Sequence, residues 1–214
     1  MANMEIKKMV LGMVGTNCYI VSNKETNEAI IIDPADNSDR LLQYLKDLNL
    51  ELKGILLTHG HFDHILGLRG IVERVNVPVY CEESEKELLK DTYTNLSEVM
   101  GGGPYAFEDA ITVKDGELLN LASFQIKVLH TPGHTKGGAC YLFENEKCMF
   151  SGDTLFFESV GRTDFPTGNH YELIKSICDK IYIYEDNIIV YPGHGPETSI
   201  GYEKENNPFT SQGL

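Results

Sequence analysis

The chain has 214 residues, 42% of them hydrophobic and 23% charged, and a formal net charge of −14. That length suits one domain with a real core, and that composition a soluble, globular one. The acidic balance repels phosphate backbones and no apolar run is long enough for a membrane span, so neither a nucleic-acid partner nor a membrane partner is expected.

Taken in order, the start from Met1 to Lys8 lacks the apolar stretch of a signal peptide, which points to the cytoplasm. Short strands are predicted over residues 6–11, 18–22 and 29–33. Ser38 reads as the N-cap of a helix that carries Leu41, Leu42, Leu45 and Leu48 on one stripe. A strand over 52–57 follows, running straight into Thr58-His59-Gly60-His61-Phe62-Asp63-His64. A helix through Val72 and Glu73 comes next, then a strand over 77–81 that Pro78 keeps short or near an edge. The acidic run Glu82-Glu83-Ser84-Glu85 reads as solvated surface, and 84–100 as helical. Gly101-Gly102-Gly103-Pro104 cannot hold regular structure. It is either a plain connection or a flap that brings Tyr105 or Phe107 to a substrate. The second part predicts strands over 111–113, 124–129, 139–143, 148–151 and 188–191 and a helix over 171–181. The expectation is one domain, 1–214, in two similarly built halves, about 1–110 and 111–214. The five cysteines, Cys18, Cys81, Cys140, Cys148 and Cys178, form no C-x-x-C pair and read as reduced, mostly buried thiols.

The stretch His59 to His64 packs three histidines and one aspartate into six residues, at the point where a strand ends and a helix begins. Imidazole nitrogens and carboxylate oxygens suit zinc, and also iron and manganese. His59 and His61 are two apart on extended chain, so their rings can converge on one ion. Asp63 and His64 come at the turn into the helix and point elsewhere, towards a second ion. A lone histidine here would be a polar residue satisfied in a loop; four ligand types together argue for a metal.

This stretch resembles the H-x-H-x-D-H motif of the metallo-β-lactamase-fold hydrolases. The rest of that ligand pattern follows in order as His134 in Thr131-Pro132-Gly133-His134-Thr135, Asp153 in Ser151-Gly152-Asp153-Thr154, and His194 in Pro192-Gly193-His194-Gly195. The resemblance implies an α/β fold, a four-layer αββα sandwich with the metals at one edge. It implies two divalent ions, zinc first: His59, His61 and His134 on one, Asp63, His64 and His194 on the other, Asp153 bridging. It also implies a hydroxide shared by the metals as nucleophile, with Asp63 orienting it or taking its proton. Outside the pattern, His130 reads as a packing or hydrogen-bonding residue and His170 as a cap or surface residue.

Ser151-Gly152-Asp153-Thr154-Leu155-Phe156 and Gly161-Arg162-Thr163-Asp164-Phe165-Pro166 are similar to segments of the short glyoxalase II-like, or hydroxyacylglutathione hydrolase-like, enzymes. That implies a small-molecule thioester as substrate. Arg162 either pairs with Asp164 or meets a substrate carboxylate, and Phe156 and Tyr105 are further candidate contacts. Full-length glyoxalase II carries a basic C-terminal extension that grips glutathione. This sequence ends at Leu214, soon after the last motif, which leaves the thiol carrier open. The alternative in the same fold is a persulfide dioxygenase, with one iron on positions matching His59, His134 and Asp153. A third alternative is a metal-binding module without activity.

Overall fold

Residues 3–210 are described by the computed structural model; the expected domain bounds 1 and 214 lie outside the described residues. The organising feature is a set of strands buried on both faces. In β2 (Thr16–Asn23) every residue is buried. Cys18 and Ile20 pack with Leu41, Leu45, Ile65 and Ile71, whereas Tyr19 and Val21 pack with Phe143 and Phe150. Successive side chains point to opposite faces of a strand, so one strand feeds two apolar layers. β3 (Glu28–Ile32) divides the same way, with Ala29 and Ile31 towards the helices and Ile30 and Ile32 towards the second sheet.

The first sheet runs in the order β1 (Met4–Leu11), β2, β3, β4 (Glu51–Leu56), β5 (Val79–Glu82), β6 (Ile111–Val113). Its outer face is covered by α1 (Ser38–Asp47), α2 (Phe62–Ile65) and α3 (Leu68–Val72), through Leu41, Leu45, Ile65, Leu68 and Ile71. The second sheet comprises β7 (Leu118–Leu121), β8 (Phe124–His130), β9 (Ala139–Phe143), β10 (Cys148–Gly152), β13 (Ile189–Pro192) and β14 (Thr198–Ser199), in the spatial order 14-13-10-9-8-7. Cys140, Leu142, Met149 and Val190 on its outer face pack with Leu173 and Ile177 of the segment that starts as α5 (His170–Ser176), and with Ile200 of α6 (Ile200–Asn206). This is the expected four-layer αββα sandwich. A hairpin, β11 (Leu155–Phe156) with β12 (Ser159–Val160), leans over the end of the second sheet. No helix of the described residues is long and apolar enough to cross a membrane.

Several local expectations are corrected. The cap of α1 is Asn37, in left-handed conformation at φ 51, whose side chain accepts from the Arg40 N–H; Ser38 is the first helical residue. Leu48 ends the stripe half exposed. The stretch 84–100 yields a 3-10 turn over Glu83–Glu85 and one short helix, α4 (Lys86–Lys90). There the Asp91 carboxylate accepts from the Tyr93 and Thr94 N–H groups, and local bonds of this kind compete with a helix. The run read as solvated surface holds two buried carboxylates, Glu82 and Glu85. β5 is short, at four residues, as Pro78 implied, but it is an interior strand between β4 and β6, and Pro78 stands just before it, where its missing N–H is not needed. β6 belongs to the first sheet, so the chain changes sheet after Val113, one strand later than the division near 110. The α5 helix gives way to a π-helical turn over Ile177–Ile181. Asn169 caps it, leaving His170 exposed at its first position.

Of the thiols, four are buried and Cys178 is half-buried. Burial pushes Cys140 up to about 11 and Cys81 and Cys148 up to about 12, which leaves no thiolate nucleophile among these three.

Candidate metal centre

At the end of β4 the chain leaves the sheet extended, and His61, at φ −63 and ψ 147, is the N-cap of α2. His59 and His61 therefore point the same way. Their rings meet that of His134, which comes from the loop after β8. The three ring centroids are 4.8 Å (His59–His61), 4.7 Å (His59–His134) and 4.7 Å (His61–His134) apart. One turn on, Asp63 and His64 meet His194 from the loop after β13: Asp63 Oδ2 lies 3.2 Å from His194 Nε2 and 3.6 Å from His64 Nε2. Asp153, after β10, sits between the groups. Its Oδ1 is 3.4 Å from His64 Nε2, and its Oδ2 is 3.5 Å from His134 Nε2 and 3.7 Å from His194 Nε2. All seven predicted ligand residues thus converge, although they lie as much as 135 positions apart, from His59 to His194.

The close approach depends on glycines at the strand ends. A Cβ on Gly193 would stand 2.2 Å from Asp153 Oδ1, and one on Gly152, at φ +50, 2.2 Å from Thr58 Oγ1. Side chains would occupy the space in which the two loops meet.

A second ring of residues fixes the imidazoles. Asp33 Oδ2 accepts from Thr58 Oγ1 at 2.6 Å and lies 2.9 Å from His64 Nδ1. Thr58 Oγ1, having donated to Asp33, accepts from His59 Nδ1 at 3.2 Å, and the Arg162 carbonyl accepts from His134 Nδ1 at 2.7 Å. With Nδ1 donating, Nε2 carries the free lone pair in His59, His64 and His134, and Nε2 is the atom these three rings turn to the centre. Thr16 Oγ1 donates to Asp63 Oδ2 at 2.7 Å. Asp33, Thr58 and Thr16 were not singled out from the sequence. The one local signal is the pair Asp33-Pro34 at the end of a strand, which by itself marks only a strand end.

Electrostatics separates the two groups of ligands. Burial, reinforced by neighbouring rings, holds His59 well below the ordinary histidine range and brings His61 down to about 3. Both are therefore neutral, as ligands must be. Burial also disfavours charge on His64, but Asp63, Asp153 and Asp33 outweigh it and hold that ring well up. Burial alone would raise Asp153; His64, His134 and His194 reverse this and lower it to about 2.

These residues fit metal ions. Five buried side-chain polar atoms among the described residues lack a hydrogen-bond partner, and four belong to this cluster: His59 Nε2, His61 Nε2, His64 Nε2 and Asp153 Oδ1. His61 turns its Nδ1 to within 2.9 Å of His134 Nε2. An unpartnered buried polar atom costs about 1–3 kcal/mol, so His59 Nε2, His64 Nε2 and Asp153 Oδ1, left without partners in one cluster, mark a site built for something that takes lone pairs. Their ligand atoms form triads within 4.8 Å, namely His59/His61/His134, His59/His64/Asp153 and Asp63/His64/His194.

The cluster forms the floor of a cleft of about 340 Å³. Val14, Phe62, Leu96, Met100, Phe156, Val160, Arg162 and Phe165 complete its lining. Two of the three proposed substrate contacts, Phe156 and Arg162, are thus in the cleft. Tyr105 is not: its hydroxyl accepts from the Arg69 N–H at 2.8 Å, and its ring lies 4.7 Å from the Arg69 guanidinium. Phe107 is buried in the core on the helix side of the first sheet. The Gly101–Pro104 loop therefore brings neither aromatic to the cleft. Arg162 pairs with Asp164 through two 2.7 Å hydrogen bonds and lies 3.9 Å from the centre of the Phe165 ring.

A family model described as the metallo-β-lactamase superfamily matches residues 11–194. Among curated proteins, hydroxyacylglutathione hydrolase GloC of Haemophilus influenzae is 38% identical over 195 residues, 90% of this chain and 92% of that protein. The crystal structure of the B3 metallo-β-lactamase BLEG-1 superposes with a TM-score of 0.91 at 38% identity, covering 97% of this chain and 100% of that one. TTHA1623, solved in a di-iron-bound form, gives 0.85 at 32% identity over 95% and 99% of the two chains. ETHE1 from Myxococcus xanthus gives 0.81 at 28% identity over 97% and 85%.

Proposed function

The chain belongs to the metallo-β-lactamase superfamily, and from that premise we propose that it is a two-metal hydrolase of small-molecule thioesters, of the glyoxalase II-like kind. The observation that carries this reading is the pair of ligand groups on one cleft floor with Asp153 within 3.7 Å of both. His59, His61 and His134 would hold one divalent ion, Asp63, His64 and His194 the other, and Asp153 would reach both. Zinc fits this donor set, and so do iron and manganese. When bound, such ions supply Lewis acidity towards a carbonyl and towards water. Similarity to GloC supports the thioester, and similarity to TTHA1623 in its di-iron-bound form supports two ions.

The chain's own residues would do the rest. Asp63 is held ionised: burial opposes this, but His64, His194 and the Thr16 hydroxyl keep it well below the carboxylate range. An ionised Asp63, steadied by Thr16, can orient a water at Oδ2 and take its proton. Phe62, Leu96, Met100, Phe156 and Val160 offer apolar walls that exclude water from the acyl group. Arg162 offers a cation at the lining for a substrate carboxylate.

One observation favours a second reading, an oxygen-consuming persulfide dioxygenase with a single iron. Its three positions, His59, His134 and Asp153, also meet, with His134 Nε2 at 3.5 Å from Asp153 Oδ2, and ETHE1 is among the similar structures. Elemental analysis of protein purified without added metal separates the two. About two zinc ions per chain, the loading of a two-metal hydrolytic site, with hydrolysis of S-lactoylglutathione or another thioester is the expected result. A single iron, with oxygen uptake on glutathione persulfide and no thioester hydrolysis, would overturn the hydrolase.

A further inference from the structure

Glu85 is completely buried, and no lysine, arginine or histidine is among its hydrogen-bond partners. It sits at the end of the 3-10 turn that follows β5, and its hydrogen bonds go to none of the seven ligand residues. Its Oε1 accepts from the Gly60 N–H at 2.8 Å. Its Oε2 accepts from Thr135 Oγ1 at 2.9 Å and from the Gly137 N–H at 2.8 Å. Gly60 is the residue between His59 and His61, and Thr135 follows His134. One carboxylate therefore reaches, from a third element, both loops that carry the three-histidine group, and those loops leave opposite sheets.

Packing shows the same wedge. A Cβ on Gly137 would lie 2.2 Å from the Glu85 backbone nitrogen, and one on Gly60 would meet Leu88 and Leu89 at 2.9 Å. The turn and α4 are thus pressed against both loops. Resting on the two-metal reading above, we infer that Glu85 is a positioning residue that sets the spacing of the His59/His61 loop against the His134 loop, and so the affinity of the first metal site.

Chemistry explains the choice of a carboxylate. Three donors converge on two oxygens, and only an ionised carboxylate accepts at both ends. A glutamine would turn an N–H₂ towards the Gly60 N–H or towards the Thr135 and Gly137 donors, leaving at least one buried backbone N–H without an acceptor. Burial raises the Glu85 carboxyl to about 7, against the pull of its three donors, which favour the charged form. The second ligand group has separate supports: Thr16 on Asp63, Asp33 on His64, and Asn17 on the Pro192 and Gly195 carbonyls. None of them runs through Glu85, so its effect is selective.

The test measures metal affinity, not turnover. Metal-free protein is titrated with Co²⁺ against a chromophoric chelator in two backgrounds: His194→Ala, which leaves the first group intact, and His61→Ala, which leaves the second. Adding Glu85→Gln should weaken Co²⁺ about tenfold or more in the first background, the scale of a lost supporting hydrogen bond, and leave the second unchanged. Equal losses in both backgrounds, or no loss in either, would overturn the inference. Thr135→Val removes one of the three bonds with little change of volume, and it decides the matter if Glu85→Gln does not fold; unchanged affinity in the His194→Ala background then overturns it. Wild-type protein that takes up only one ion would sink the two-metal reading instead. Glu85 is then judged on that single ion, whose affinity must still fall.

Discussion

His64 Nδ1 lies 2.9 Å from Asp33 Oδ2, and both side chains are almost wholly closed to solvent. Asp33 follows β3 directly, at φ +50, and its carboxylate also takes the Thr58 N–H and hydroxyl, at 2.8 and 2.6 Å. One buried carboxylate therefore joins the turn before the histidine motif to a histidine six residues later. Asp33→Asn can satisfy Thr58 or His64 but not both. The expected outcome is a folded protein with about 10–100-fold weaker metal binding, the usual loss when such a partner is removed. Chelator competition checks it, and unchanged affinity would show that His64 is oriented without Asp33.

Asp63 is proposed to be both ligand and proton acceptor. Asp63→Asn keeps the shape and removes the basicity, so kcat should fall by about 10² or more, the usual range for general-base catalysis. Metal content is measured on the same sample. Full activity with two ions retained would refute the proton-accepting role.

Gly193 is a site where backbone, not side chain, does the work. Its missing Cβ leaves room for Asp153 Oδ1 and His64 Cε1, which a methyl group would meet at 2.2 and 2.7 Å. Gly193→Ala should displace Asp153 and lower the metal bound per chain. The metal-free protein should lose only about 1–3 kcal/mol, the ordinary cost of overpacking. Denaturant unfolding and elemental analysis give the two numbers, and full metal loading would contradict the expectation.

Arg162 is paired to Asp164 in an exposed position, where such a pair contributes little. Asp164→Asn should free the guanidinium and lower KM severalfold for a thioester that carries a carboxylate, with kcat unchanged. Arg162→Ala should raise that KM. Identical KM in all three proteins would remove Arg162 from the substrate contacts.

Chelation should abolish hydrolysis and leave the far-ultraviolet circular dichroism spectrum unchanged, because the apolar layers around Ile31, Phe143 and Leu173 do not include the ligands. The melting temperature should fall, since ions that bind only the folded state stabilise it by mass action. Unfolding on chelation, with no activity on any thioester, would instead favour a metal-binding module without catalysis.

Ten of the strands and the residues that gather at the edge of the sandwich are legible in the sequence, whereas β7 and β14 of the second sheet and the β11–β12 hairpin are too short or too polar to stand out. Strand alternation and the His59–His64 cluster are short-range patterns, and the later His134, Asp153 and His194 motifs each carry their own glycine. What it left open depends on partners far along the chain. Glu85, read as surface, is buried because Gly60 and Thr135 bring it donors from 25 and 50 positions away. Tyr105 is turned from the cleft by Arg69, 36 positions earlier. The run after Lys90 has helical composition, but Asp91 claims the N–H groups a helix would use. The placements of Glu85 and Tyr105 follow from contacts distant in sequence, because a buried polar group is placed by whichever donors the folded chain brings to it.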